Sequence, residues 1–164
     1  MITAIYFVAV VILVAVDYFI KLAVSNNMNI GESIPAIKGL LNWTYITNSG
    51  ASWGILRGKT VFLVVVTVAL ICAIIYILAA RKVKSVLGNI SFVLIAAGGI
   101  GNLIDRVFNG GKVVDYIDIS PIFSFPVFNF ADCCVTVGGI LFCIYVIFFY
   151  ENKEKETEEE NETI

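Results

Sequence analysis

Long uncharged stretches alternate with short polar ones along this chain. Ile2 to Val24 is free of charge except for Asp17 and Lys21 near its end. Thr60 to Ala80 carries no charge at all. As a helix rising 1.5 Å per residue it would be ~31 Å long, close to a hydrocarbon core of ~30 Å. Val86 to Ile104 is uncharged and rich in small residues, with Ala96, Ala97, Gly98, Gly99 and Gly101. Cys133 to Tyr150 is uncharged and carries Gly138 and Gly139. Small residues let helices approach closely where the hydrophobic effect cannot drive association. The pattern predicts an integral membrane α-helical protein with transmembrane helices over 1–24, 60–80, 86–106 and 131–150.

Between these helices lie a loop at 25–59, a short link at 81–85 and a loop at 107–130. The link reads Arg81-Lys82-Val83-Lys84-Ser85, and the positive-inside rule puts it in the cytoplasm. Both termini then face the cytoplasm and the two larger loops face outward. Those loops are not simple linkers. Leu41 to Thr47 is rich in β-branched and aromatic residues and runs into the turn signal Asn48-Ser49-Gly50, and Lys112 to Ile119 is similarly strand-like. A small extracytoplasmic β-sheet is expected, with Trp43, Tyr45 and Trp53 at the headgroup level. The tail, 151–164, is expected to be a disordered acidic cytoplasmic segment. The first span has no Lys or Arg before it and no clean small-x-small site after it, so it is expected to be retained rather than cleaved.

Composition agrees with a membrane protein and narrows the chemistry. The chain has 164 residues, 59% of them hydrophobic and 15% charged, with a mean hydropathy of +0.92. Its net charge of −2 arises mostly from the tail, where Glu151 to Glu162 holds seven Glu and two Lys. No basic patch with interleaved aromatics suggests nucleic acid. The sequence has no histidine, which removes Ser-His-Asp and Cys-His catalysis and His-ligated metal sites. No metal or other cofactor is expected. Cys72, Cys133, Cys134 and Cys143 read as small buried apolar residues rather than disulfides.

The acids in or near the membrane carry the functional signal. A carboxylate there costs about 2.5–3.5 kcal/mol on insertion scales, so each asks for a reason. Asp17 sits near the outer end of the first span, Asp105 closes the third, Asp115 follows in the loop, and Asp132 opens the fourth. Asp132 could simply be a helix cap. Asp115 could be a strand residue paired with Lys112 or Arg106. Together they allow more, because two carboxylates brought close share a proton. The charged member can then take a proton from water while the neutral one donates to a peptide carbonyl. Asp17 and Lys21, four apart on one helix face, read mainly as an ion pair. Asp105 beside Arg106 reads as a salt bridge or scaffold, and Arg106 could hold a phosphate or a substrate carbonyl. Asp118, three residues from Asp115 and so on the opposite strand face, is set aside. An ion carrier lined by these acids and a structural assembly factor remain alternatives, as does an intramembrane aspartic peptidase acting on non-lipidated helices.

Five segments, in order, resemble the lipoprotein signal peptidase (signal peptidase II) family of bacteria. They are Asp17 with Lys21; Asn48-Ser49-Gly50-Ala51-Ser52-Trp53-Gly54; Gly101-Asn102-Leu103-Ile104-Asp105-Arg106; Val113-Val114-Asp115-Tyr116; and Phe128-Asn129-Phe130-Ala131-Asp132. Tyr18, where the family usually has Gln, and Cys133-Cys134, where Ser or Ala commonly follows the Asp, depart from the pattern. The resemblance implies four helices with a small β-sheet cradling the substrate. It also implies Asp115 and Asp132 as a catalytic dyad, with Asn48, Gly50, Asn102, Arg106 and Asn129 lining the site and Asp17 and Lys21 supporting it. The implied substrate is a diacylglyceryl prolipoprotein, cut on the amino side of its lipidated cysteine by a monomeric enzyme of the bacterial cytoplasmic membrane that also contacts membrane lipid.

Overall fold

A computed structural model describes residues 2–50 and 55–150. Four helices are long and apolar enough to cross a membrane, spanning Thr3–Asn27, Thr60–Ala79, Val86–Phe108 and Phe130–Phe148. In chain order the elements are α1 (Ile2–Asn27), β1 (Ser33–Ile37), β2 (Leu41–Asn48), α2 (Thr60–Ala79), α3 (Val86–Phe108), β3 (Val113–Asp118) and α4 (Phe130–Tyr145), the last followed by a π-helical turn at Val146–Tyr150. The disorder expected of the tail and the interfacial place expected for Trp53 fall outside the described residues.

The third helix is the centre of the bundle, packing on α1, α2 and α4. Half of its most apolar window is buried, against 17% for each of the other three, whose outer faces are left to lipid. Glycine makes its contact with α4 possible. A Cβ on Gly98 would overlap the Ala131 carbonyl oxygen and the Val135 side chain, and one on Gly138 would meet Leu94, Ile95 and the Ser91 carbonyl. The two backbones therefore pack directly against each other, a close approach of the kind that drives helix association in lipid. Val10, Ile74, Leu78, Phe92, Val93, Ala96 and Ala97 form the main buried cluster, and Tyr45, Val114 and Tyr116 form a second one beneath the sheet.

The sheet is antiparallel, in the order β1-β2-β3. Ile46 lies opposite Asp115 and Asn48 opposite Val113, with the register shifting between Trp43 and Ile46. Ile117 also bridges to Phe128, which returns the chain to the start of α4. The strand β1 was not expected from the sequence. All five of its residues are exposed, so it has no alternation to betray it. Its Pro35 is tolerated because β1 is an edge strand.

Three other expectations are corrected. Tyr45, expected to present its ring to the membrane interface, is only 9% exposed and packs under the sheet with Val114 and Tyr116. Cys72 and Cys143 lie exposed on apolar helix surfaces and Cys133 is half-buried, so only Cys134 is a buried apolar residue; all four are free. The fourth helix begins at Phe130 with Asn129 as its N-cap, so Asp132 is not the cap. Asn129 wins that position because its extended backbone lets its side chain accept from the Asp132 amide.

Candidate active site

The start of α4 organises the site. Asn129 Oδ1 accepts from the Asp132 amide at 2.9 Å, and Asp132 Oδ2 accepts from the Asn129 amide at 3.2 Å. This reciprocal capping box fixes the Asp132 side chain. The other two amides of the first turn are met from elsewhere. The Ala131 amide donates to Asp17 Oδ1 at 3.0 Å and the Phe130 amide to the Tyr116 hydroxyl at 3.2 Å. A helix end normally left to water is thus tied to α1 and β3.

The Asn129 side chain also reaches across to the strand. Its Nδ2 donates to Asp115 Oδ1 at 2.6 Å, with Asn102 Oδ1 at 3.1 Å and the Val114 carbonyl at 3.3 Å as further acceptors. Two amide protons serve three acceptors, so one is shared. One residue therefore bonds to both Asp115 and Asp132. Asn102 Nδ2 donates to Asp132 Oδ1 at 2.8 Å.

Behind Asn102 lies a buried ionic cluster. Lys21, 3% exposed, sets its ammonium 2.8 Å from Asp17 Oδ2, 3.0 Å from Asp105 Oδ2 and 2.9 Å from Asn102 Oδ1. Every ammonium proton has an acceptor, the condition for burying such a charge. Asp105 also accepts from the Val114 amide at 3.0 Å, which holds β3 against α3. A Cβ on Gly101 would collide with the Asp17 carboxylate. Arg106 donates to the Gly50 carbonyl at 2.9 Å and to the Asn102 carbonyl at 3.3 Å. The Gly50 amide in turn donates to Asn48 Oδ1 at 2.9 Å, and the Asn48 side chain hydrogen-bonds to Asp115.

All nine site residues named from the sequence therefore lie in one connected set: Asp17, Lys21, Asn48, Gly50, Asn102, Arg106, Asp115, Asn129 and Asp132. Some pairings differ from those the sequence suggested. Asp105 pairs with Lys21 rather than with its neighbour Arg106, which sits a step round the helix and turns to Gly50. Neither Lys112 nor Arg106 forms an ion pair with Asp115 among the described residues. Asp118 stands apart from the set, accepting from Thr44 at 2.7 Å and the Ser120 amide at 2.9 Å. Its carboxyl is partly desolvated, but bonds from Ser120, Thr44 and Asn42 hold it below the usual range.

Asp115 differs from it sharply. It is 2% exposed, and burial, with the Asp132 charge added, pushes its carboxyl up to about 7 against hydrogen bonds from Asn129 and Asn48 and the charge of Lys21. A carboxyl titrating there keeps its proton where most carboxylates have lost theirs, and can donate it. Burial likewise pushes the Tyr116 hydroxyl up, so it stays neutral.

The sequence pattern of the family described as signal peptidase (SPase) II matches residues 9–148. The chain belongs to the signal peptidase II family. It is accordingly a peptidase of a bacterial membrane. Lipoprotein signal peptidases of Staphylococcus aureus strains MRSA252 and JH9 are 38% and 37% identical over 157 residues, covering 92% of this chain and 96% of theirs. A bacterial membrane enzyme solved by the in meso method at 2.3 Å superposes with a TM-score of 0.84 at 36% identity, covering 92% of each chain. Another, solved at 1.9 Å, gives 0.79 at 35% identity, covering 89% of this chain and 94% of that one. The aligned stretch in this signal peptidase II member includes every site residue described above.

The tie from the Tyr116 hydroxyl to α4 was missed in the sequence. Its only sequence signal is a tyrosine beside Asp115 on a strand that must pack under a membrane helix, where a buried hydroxyl needs a partner. The role of Asp105 as the second acceptor of Lys21 had no local signal, since the two are far apart in the chain.

Proposed function

We propose that this protein cleaves the signal peptide from diacylglyceryl-modified prolipoproteins, on the amino side of the lipidated cysteine, by water activation between Asp115 and Asp132. The observation that carries the reading is Asn129, whose amide groups bond to both carboxylates and hold them in one polar nest at the end of the bundle. The elevated Asp115 carboxyl supports it, because a dyad works with one proton between two acids. The ionised aspartate takes a proton from water as the oxygen adds to the scissile carbonyl carbon. The protonated aspartate gives its proton to the carbonyl oxygen, and a tetrahedral diol forms. As the diol collapses the C–N bond breaks, the aspartate that took the water proton gives it to the cysteine nitrogen, the other aspartate regains a proton from a diol hydroxyl, and the signal peptide leaves as a carboxylic acid.

The same reading sets the protein in the bacterial cytoplasmic membrane as a monomer, with lipid around its apolar helix faces. The basic link at Arg81-Lys82-Val83-Lys84 puts both termini in the cytoplasm. The loops at 25–59 and 107–130, and with them the dyad, then lie at the outer face, where the scissile peptide meets water. The substrate's lipid and signal helix approach from the bilayer. Asp115→Asn and Asp132→Asn are each expected to abolish processing of a lipidated precursor while the protein still folds in detergent. Full processing by either variant refutes the dyad. Equal cleavage with and without the diacylglyceryl group refutes the substrate class.

A further inference from the structure

The dyad looks symmetric on paper, but its surroundings are not. Asn102 faces Lys21 with one end of its side-chain amide and Asp132 with the other. An ammonium can only donate, so the end of the Asn102 amide that meets Lys21 at 2.9 Å must be its oxygen. The same oxygen receives Asn129 Nδ2 at 3.1 Å. The opposite end, Nδ2, is thereby committed as a donor to Asp132 Oδ1 at 2.8 Å. The other Asp132 oxygen receives the Asn129 amide at 3.2 Å. Each oxygen of Asp132 therefore faces an N–H, at the third position of a helix whose N-terminus favours negative charge. A proton on Asp132 would point at a donor. Asp115 also bonds to Asn129 and Asn48, but it lies deeper, 2% exposed against a half-buried Asp132, and sits on a strand instead of in the first turn of the helix.

We infer that Lys21 is a positioning residue: by fixing the Asn102 amide it commits Asp132 to the ionised, water-activating role and leaves the shared proton on Asp115. The inference rests on the dyad reading and deepens it, because it assigns base and acid. Other ionisable groups face the pair from each packed element. Arg106 from α3 faces both carboxylates, Tyr116 from β3 and Cys133 on α4 face Asp132, and Asp17 from α1 and Asp105 from α3 lie one step behind, facing Tyr116, Cys133 and Arg106. Of these, Asp17 and Asp105 are already engaged with Lys21 itself. Without Lys21, only the 3.1 Å contact from Asn129 Nδ2, shared among three acceptors, keeps the Asn102 oxygen from Asp132; an amide turned that way favours a protonated Asp132 and removes the base.

The pH dependence of kcat/KM tests this in two variants. Lys21→Met removes the ammonium. Lys21→Met with Asp105→Asn also removes one carboxylate, so the local net charge is unchanged and the Val114 amide keeps an acceptor. In both, the acidic limb of the profile is expected to move to higher pH by roughly one pH unit or more, the equivalent of one charge-assisted hydrogen bond. Activity at the low-pH end should then fall about tenfold and recover as pH rises, with KM little changed. In an Asn102→Ala background Lys21→Met should move the limb no further. An unmoved limb in the charge-conserving variant overturns the inference, as does an equal shift without Asn102. Should these variants fail to fold, proteins that keep Lys21 decide. The infrared band of the protonated carboxyl should vanish in Asp115→Asn and persist in Asp132→Asn, where loss of the Asp132 charge moves its titration to lower pH, and the reverse pattern overturns the assignment. Failure of the dyad itself would look different, as processing by an Asp115→Asn or Asp132→Asn protein.

Discussion

Replacing Asp115 by Asn should remove activity and, above neutral pH, make the protein more stable. In the folded protein the Asp115 carboxyl titrates at about 7, against an ordinary 3.8, chiefly because it is buried and also because Asp132 is charged. The unfolded chain gives up this proton at the ordinary value, so between the two the folded state binds more protons. Stability from this group is therefore full below about 3.8, declines as pH rises through the window, and is lost above about 7. The difference corresponds to about 4 kcal/mol, a large share of a typical folding free energy. Asparagine has no proton to lose, and its oxygen still accepts from Asn129. The advantage of Asp115→Asn over the native protein should then grow by up to about 4 kcal/mol between about pH 4 and about pH 8. Unfolding followed by circular dichroism in one detergent across that range reads it directly. Parallel stability curves for the two proteins would refute the argument that Asp115 is a desolvated, proton-holding acid. The same proton sets the alkaline limb of catalysis, with kcat/KM falling above about pH 7 as it is lost.

Two further changes probe the scaffold. Gly98→Val, which would overlap the Ala131 carbonyl and Val135, should push α3 from α4, lower thermal stability by an overpacking cost of about 1–3 kcal/mol, and abolish processing by displacing Asn102 from Asp132. Normal processing in that variant would show that the contact does not position the dyad. Asp118→Asn, outside the connected set and tied among the described residues to Thr44, Asn42 and Ser120, should process precursor at close to the native rate; a loss as deep as that of Asp132→Asn would bring Asp118 into the chemistry.

Much of the fold was legible because membrane insertion is a nearly one-dimensional problem. An uncharged run long enough for the bilayer must span it, whatever its neighbours do, and Thr60 to Ala80 announces itself by length alone. The strands β2 and β3 were visible in their β-branched and aromatic residues. The strand β1 was not, because an exposed edge strand carrying Pro35 needs no pattern. The ends of α4 were read imprecisely, since Asp132 and Asn129 are both good capping residues and only backbone conformation separates the cap from the third position.

The candidate site divides along the same line. Family motifs and the cost of charge near a membrane were enough, from the amino acids alone, to single out Asp17, Lys21, Asn102, Asp115, Asn129 and Asp132. Their partners were not in the linear order. Lys21 meets Asp105 and Asn102 across a helix crossing that Gly101 makes possible, and the Asp17 carboxylate caps the first turn of α4 through the Ala131 amide, 114 residues later. Asp105, Asp115, Asp118 and Asp132 are chemically the same side chain. Which of them is neutralised by a lysine, held by a turn, buried with a proton or seated at a helix N-terminus depends on distances of a few ångströms, and only the packed bundle sets those.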